Sequence, residues 1–187
     1  MKIRLLGAAI CGLGIWVSPV ANAFDQDISH STCTEALQAA FSPWDDVEKL
    51  ITDEIGNAKR QVLMQAYLLT SKKIASALIS AHRRGADVRI MVDNEQARNG
   101  PEEVYRLAKA GIPIRVEMKY QHAHNKVIII DAGTSCPIVI TGSYNFTWSA
   151  QHRNAENVLI VRNSGAVAAR YTENWNRHFM DSVPLKM

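Results

Sequence analysis

The chain has 187 residues, 47% of them hydrophobic and 21% charged, with a formal net charge of +3. These values fit an ordinary globular chain of one domain and exclude a large multidomain assembly. The apolar share is too high, and the charge too small, for a disordered or low-complexity protein.

Lys2 and Arg4 precede an uncharged apolar run over residues 5–17, and the small-x-small sequence Ala21-Asn22-Ala23 follows. A basic head, a short apolar middle and a small-residue exit predict a secretory signal peptide over residues 1–23 and a single domain over residues 24–187. The alternative, a membrane anchor, is disfavoured because the run is short for a bilayer. The protein is therefore expected in the periplasm or outside the cell. Cleavage removes two basic residues and no acid, so any polyanionic partner has to be argued from local charge. Cys33 and Cys136 remain. An oxidising compartment favours one disulfide between them, with two separate thiols as the alternative.

Residues 24–43 are mixed and polar and read as a loosely structured lead-in. From Asp46 onward, Val47, Leu50, Ile51, Ile55 and Ala58 share one helical face. Residues 61–69 read as a buried strand. Ser71 can cap a helix with Ile74, Ala77, Leu78 and Ala81 inward, ended by Gly85. Residues 87–93 form a second strand, with Asn94 after it as a candidate for substrate contact. Pro101 suits the first position of a helix that buries Val104, Leu107 and Ala108. Residues 112–117, 126–131, 138–141 and 157–161 read as further strands. Ser164 opens a last helix with Val167, Ala168, Tyr171, Trp175 and Phe179 on one side. Strands alternating with helices, then strands in succession, predict an α/β fold: a mixed β-sheet flanked by helices on both faces.

The chemistry concentrates late in the chain. His124 and Lys126 are two apart on a strand and share a face. Together they offer a nucleophile or proton carrier beside a fixed positive charge. Ser143 adds a hydroxyl, Asn145 an amide, and Gly142 allows close backbone approach. Such donors suit a phosphate group. Glu156 can hold the imidazole in one tautomer. Asp131, at the strand's end, points away from Lys126 by parity, which suggests a structural role. His122 reads as a rim residue, and His82, His152 and His178 as surface or helix residues. Tyr144, Phe146 and Trp148 flank Asn145 and read as core, with base stacking as the alternative. Lys119 and Arg153 are the basic residues nearest the motif and the best placed in sequence to follow a nucleic-acid backbone.

The pattern HxKxxxxD from His124, followed by Gly142-Ser143-Tyr144-Asn145, resembles the HKD signature of the phospholipase D superfamily. Residues 61–93, the GSYNFT run and the AENVLIV strand resemble the small exported single-motif bacterial endonucleases of that superfamily. The likeness extends over residues 41–179. The turn over residues 132–141 is longer than usual for these small members and reads as an inserted hairpin tip at the active-site rim. The resemblance implies a phospholipase D/nuclease-like α-β-α sandwich and a metal-independent phosphodiesterase with no cofactor. It implies that His124 attacks phosphorus to form a phosphohistidine in one protomer and acts as general acid and base in the other. Lys126, Ser143 and Asn145 would bind the phosphate, and Glu156 would orient His124. Asp131 belongs to the signature. One motif per chain, in a mechanism that uses two histidines, implies a homodimer with the site at its interface. The expected substrate is DNA, with RNA left open. Hydrolysis of lipid headgroups is the alternative, and a non-catalytic nucleic-acid binder a third reading. No amphipathic membrane-docking helix is evident, so no stable membrane association is expected.

Overall fold

In a computed structural model of the protein, the described residues are 33–100 and 102–186. The expected signal peptide over residues 1–23, the first part of the lead-in and Pro101 lie outside them. The elements in chain order are β1 (Ala36–Ser42), α1 (Val47–Asn57), β2 (Gln61–Ala66), α2 (Lys72–Arg83), β3 (Asp87–Asp93), α3 (Asn94–Arg98) and α4 (Glu102–Lys109). They continue with β4 (Ile114–Glu117), β5 (Lys126–Ile130), β6 (Ile138–Gly142), α5 (Trp148–His152), β7 (Glu156–Arg162), α6 (Gly165–Asp181) and β8 (Val183–Pro184).

The strands form one mixed sheet of eight in the order β1-β7-β6-β5-β2-β3-β4-β8. β2, β3 and β4 are parallel, as the helical crossovers between them require. β5, β6 and β7 follow as antiparallel neighbours. Alternation divides the strand side chains between two cores. Val62, Met64, Ile90, Ile128 and Ile140 pack against α1, α2 and α4 on one face. Leu63, Met91, Val127, Ile129 and Val139 pack on the other against α6, through Ala168 and Trp175. Helices therefore cover both faces, and the fold is the α/β sandwich expected from the sequence.

The helix starts follow their capping residues. Asp46 accepts the Lys49 N–H at 3.0 Å, and Ser71 accepts that of Ile74 at 3.1 Å.

The lead-in differs from expectation. Residues 36–42 form an edge strand, β1, paired antiparallel with β7 from Ala36↔Arg162 to Ser42↔Glu156. Its sequence, ALQAAFS, has no β-branched residue. Only one face is covered: Ala40 and Ser42 are buried, whereas Leu37 and Phe41 are exposed. The usual strand pattern is blunted for that reason.

A disulfide joins Cys33, just before β1, to Cys136 in the β5–β6 turn, with Cα atoms 5.6 Å apart. That turn lies beyond the Ile130–Ile138 pair, at the end of the sheet opposite Lys126. The tip of the long 132–141 segment therefore does not form the rim of the site, contrary to the sequence reading, because β5 runs away from His124 before the turn begins and β6 only then returns.

Candidate active site

The parallel strands deliver their C-terminal ends to one edge of the sheet, where α/β folds bind ligands. β2 ends there at Ala66, opposite Lys126 at the start of β5. β6 ends there at Gly142, opposite Val158, and β7 begins there at Glu156. β3 and β4 end there at Asp93 and Glu117, which pair with each other. Residues scattered through the sequence thus converge.

His124 lies in the loop before β5 and is exposed, whereas Lys126 is buried. The Lys126 ammonium is 2.7 Å from His124 Nδ1 and donates to the His124 carbonyl at 2.8 Å. Tyr67 closes the other side. Its ring centre lies 4.2 Å from that of His124, and the Lys126 Nζ stands 4.8 Å from the Tyr67 ring centre. Partial burial, and then the charges of Lys126 and His122, hold the His124 pKa below the ordinary imidazole value, with Asp93 opposing them. Neutral imidazole, the nucleophilic form, is favoured as a result. Burial also lowers the Lys126 pKa, against the pull of Glu156.

Ser143 forms the opposite wall. Its hydroxyl donates to Glu156 Oε2 at 2.6 Å and accepts the Asn157 backbone N–H at 3.0 Å. Gly142 makes this approach possible: a Cβ there would sit 2.2 Å from the Asn157 carbonyl oxygen. Asn154 donates to the other Glu156 oxygen at 2.9 Å. Glu156 is therefore engaged with Ser143 and Asn154 rather than with His124. The Asn145 Oδ1 is buried and, among the described residues, has no hydrogen-bond partner.

Asp131 is not in this cluster. It lies at the far end of β5, 8% exposed, with a φ of 52°. Its carboxylate accepts the backbone N–H groups of Lys59 (2.9 Å), Arg60 (2.7 Å) and Gln61 (2.9 Å). It fastens the α1–β2 connection to the end of β5.

Other expectations are adjusted. Lys119 is exposed and paired with Asp181 at 2.7 Å. His178 lies in α6, as expected, half-buried and bonded to buried Glu117. Tyr144 and Phe146 are core, but Trp148 is exposed. His122 sits on the rim, 3.8 Å from Glu95.

The sequence reading missed Tyr67, Asn154 and Asp93. Asp93, 1% exposed, accepts the Ala123 N–H at 2.7 Å and the Glu95 N–H at 2.8 Å. It pins the backbone immediately before His124. A carboxylate closing a strand that ends at the site was the available signal. Among the described residues, no group of three or more His, Cys, Asp or Glu side chains is placed to hold a metal ion.

A family described as cardiolipin synthase, PLD-like domain, matches residues 51–179. The chain belongs to the phospholipase D superfamily. A Rickettsia felis protein named Phospholipase D is 38% identical over 152 residues, 79% of this chain and 74% of that one. The crystal structure of Nuc from Salmonella typhimurium, a phospholipase D family member, matches with a TM-score of 0.76 at 30% identity. That match covers 82% of this chain and 100% of Nuc. NucT from Helicobacter pylori shares the fold, with a TM-score of 0.72 at 22% identity over 81% of this chain and 99% of its own. The chain is thus a phosphodiester hydrolase of the phospholipase D superfamily.

Proposed function

We propose that the protein is a metal-independent endonuclease, acting on DNA through a phosphohistidine at a site completed by a second copy of the chain. The observation that carries this reading is the openness of the site. His124 and Ser143 are exposed at the sheet edge, where a polymer can lie across them. The phosphate donor Lys126 is buried beside His124.

Attack by His124 Nε2 needs its lone pair, so the proton must reside on Nδ1 and have an acceptor. Lys126 is the present neighbour of Nδ1. A bound phosphate draws the ammonium away, and Glu156 becomes the acceptor. The P–N bond then forms as the P–O bond to the leaving nucleoside breaks. His124 of the second copy, protonated on both ring nitrogens, donates its Nε2 proton to that oxygen and is left neutral. The same ring next takes a proton from water, hydroxide attacks phosphorus, and the P–N bond breaks. Lys126, Ser143 and Asn145 stabilise the equatorial oxygens throughout.

A second copy is required because the chain carries one such histidine motif. Exposed Phe41, opposite Asn157 on the β1–β7 edge, gives apolar surface beside the site for it to cover. Action outside the cytoplasm follows from the predicted signal peptide, and the disulfide is consistent with an oxidising compartment.

The test is cleavage of plasmid and single-stranded DNA in excess EDTA. Cutting should persist there, and His124→Asn should reduce it by at least about 10³-fold. Activity that vanishes in EDTA and returns with a divalent metal would sink the mechanism. The relative named Phospholipase D and the exposed Phe41 and Trp44 favour a second reading, hydrolysis of lipid headgroups. Phosphatidylcholine turnover exceeding DNA cleavage would establish that one instead.

A further inference from the structure

α5 is short, yet both its ends are tied to the site. The Thr147 N–H donates to the Asn145 carbonyl at 2.7 Å. Beyond its other end, Asn154 donates to Glu156. Buried Gln151 donates to the Asp45 carbonyl at 2.8 Å and accepts the Glu48 N–H at 3.0 Å, fixing α5 to the turn that carries Trp44. On this rigid support the two tryptophans face solvent, Trp148 at 53% exposure and Trp44 at 83%. The Arg153 guanidinium stands 5.0 Å from the Trp148 ring centre, and the His152 ring lies 4.7 Å away. Among the described residues, Arg153 makes no ion pair. Large aromatics left open beside a phosphate site, with an unpaired cation over one of them, form the stacking platform and backbone anchor that single-stranded nucleic acid uses.

We infer that Trp148 and Arg153, extended by Trp44, form a subsite that stacks an unpaired base next to the scissile phosphate and so favours single strands. This rests on the nuclease reading and names its substrate class. Bases in a duplex are already stacked and cannot enter without being unpaired. A lipid surface is the less favoured occupant, because Arg153 lies over the ring and the shelf leads directly into the Ser143–Glu156 wall.

The experiment compares wild type, Trp148→Ala, Trp148→Phe and Arg153→Ala on three substrates. These are a single-stranded oligonucleotide, the same backbone with abasic residues throughout, and methyl p-nitrophenyl phosphate. Trp148→Ala should raise KM for the base-bearing oligonucleotide about tenfold or more and lower its ratio of kcat/KM to the small diester by a similar factor. It should also erase the preference for bases over abasic residues, whereas Trp148→Phe retains most of that preference. An unchanged KM, or an equal loss on the abasic strand, would overturn the inference. So would dissociation of the dimer by Trp148→Ala in sedimentation velocity, which would assign the shelf to the second copy. Lost binding to phosphatidylglycerol vesicles with DNA cleavage intact would assign it to lipid. If wild type hydrolyses the small diester but no nucleic acid, the nuclease reading itself fails and this subsite fails with it. That pattern is distinct from all the others.

Discussion

Asp93 touches no reacting atom in the proposed mechanism, yet it governs where His124 stands. Its two carboxylate oxygens hold the Ala123 and Glu95 amides, and its charge raises the His124 pKa against burial, Lys126 and His122. Asp93→Asn turns one acceptor into a donor facing an N–H and removes the charge. Stability should fall by about 1–3 kcal/mol. kcat should fall with little change in KM. The sign of the pH effect follows from the direction of the shift. One copy of His124 must be neutral to attack and the other protonated to donate, so activity peaks near the His124 pKa, which lies below the ordinary imidazole value. Without Asp93 that optimum should move lower still; a pH–rate profile moving the other way would remove Asp93 from this role. His124, Lys126, Ser143 and Asn145 were legible in the sequence because their spacing is local. Asp93 and Tyr67 were not, because each meets the motif across strands distant in sequence, and Trp148 was misread as core because alternation past β6 ends where α5 begins.

β5 separates chemistry from scaffolding along its length. Lys126 opens it at the site, and Asp131 follows its last residue, roughly 16 Å away at about 3.3 Å per residue. Parity alone suggested that Asp131 was structural, and its three amide bonds give the physical content. Asp131→Asn should lower stability by about 2–4 kcal/mol while leaving kcat per folded molecule unaltered. Urea unfolding with active-site titration separates the two, and loss of turnover in fully folded protein would make Asp131 catalytic after all. The disulfide lies at the same end and closes a long loop, with a sequence separation of 103. In the chain-entropy account such a cross-link is worth about 4–5 kcal/mol. Cys33→Ser with Cys136→Ser should therefore lower Tm sharply without changing KM, as measured by scanning calorimetry and steady-state kinetics. β1 was the element least readable from sequence. An edge strand covered on one side needs no repeated β-branched residues, and its partner β7 comes more than a hundred residues later.

A single chain presents one His124 on an open edge, and the proposed in-line displacement needs a second imidazole on the far side of phosphorus. Symmetry supplies it if two copies meet at that edge, each contributing the same residues. Mixing distinguishes this from a self-sufficient chain. His124→Asn removes an exposed side chain, so the variant should fold and exchange subunits normally. When equal amounts of wild type and variant are unfolded together and refolded, half of the dimers become mixed, and a mixed dimer has either nucleophile or acid, never both. Activity should then fall to about a quarter of the all-wild-type value, following the square of the wild-type fraction. A chain with a complete site of its own would leave about half, in proportion to that fraction. Varying the ratio gives a curve whose shape, parabolic or straight, decides between a site built by two copies and a site built by one.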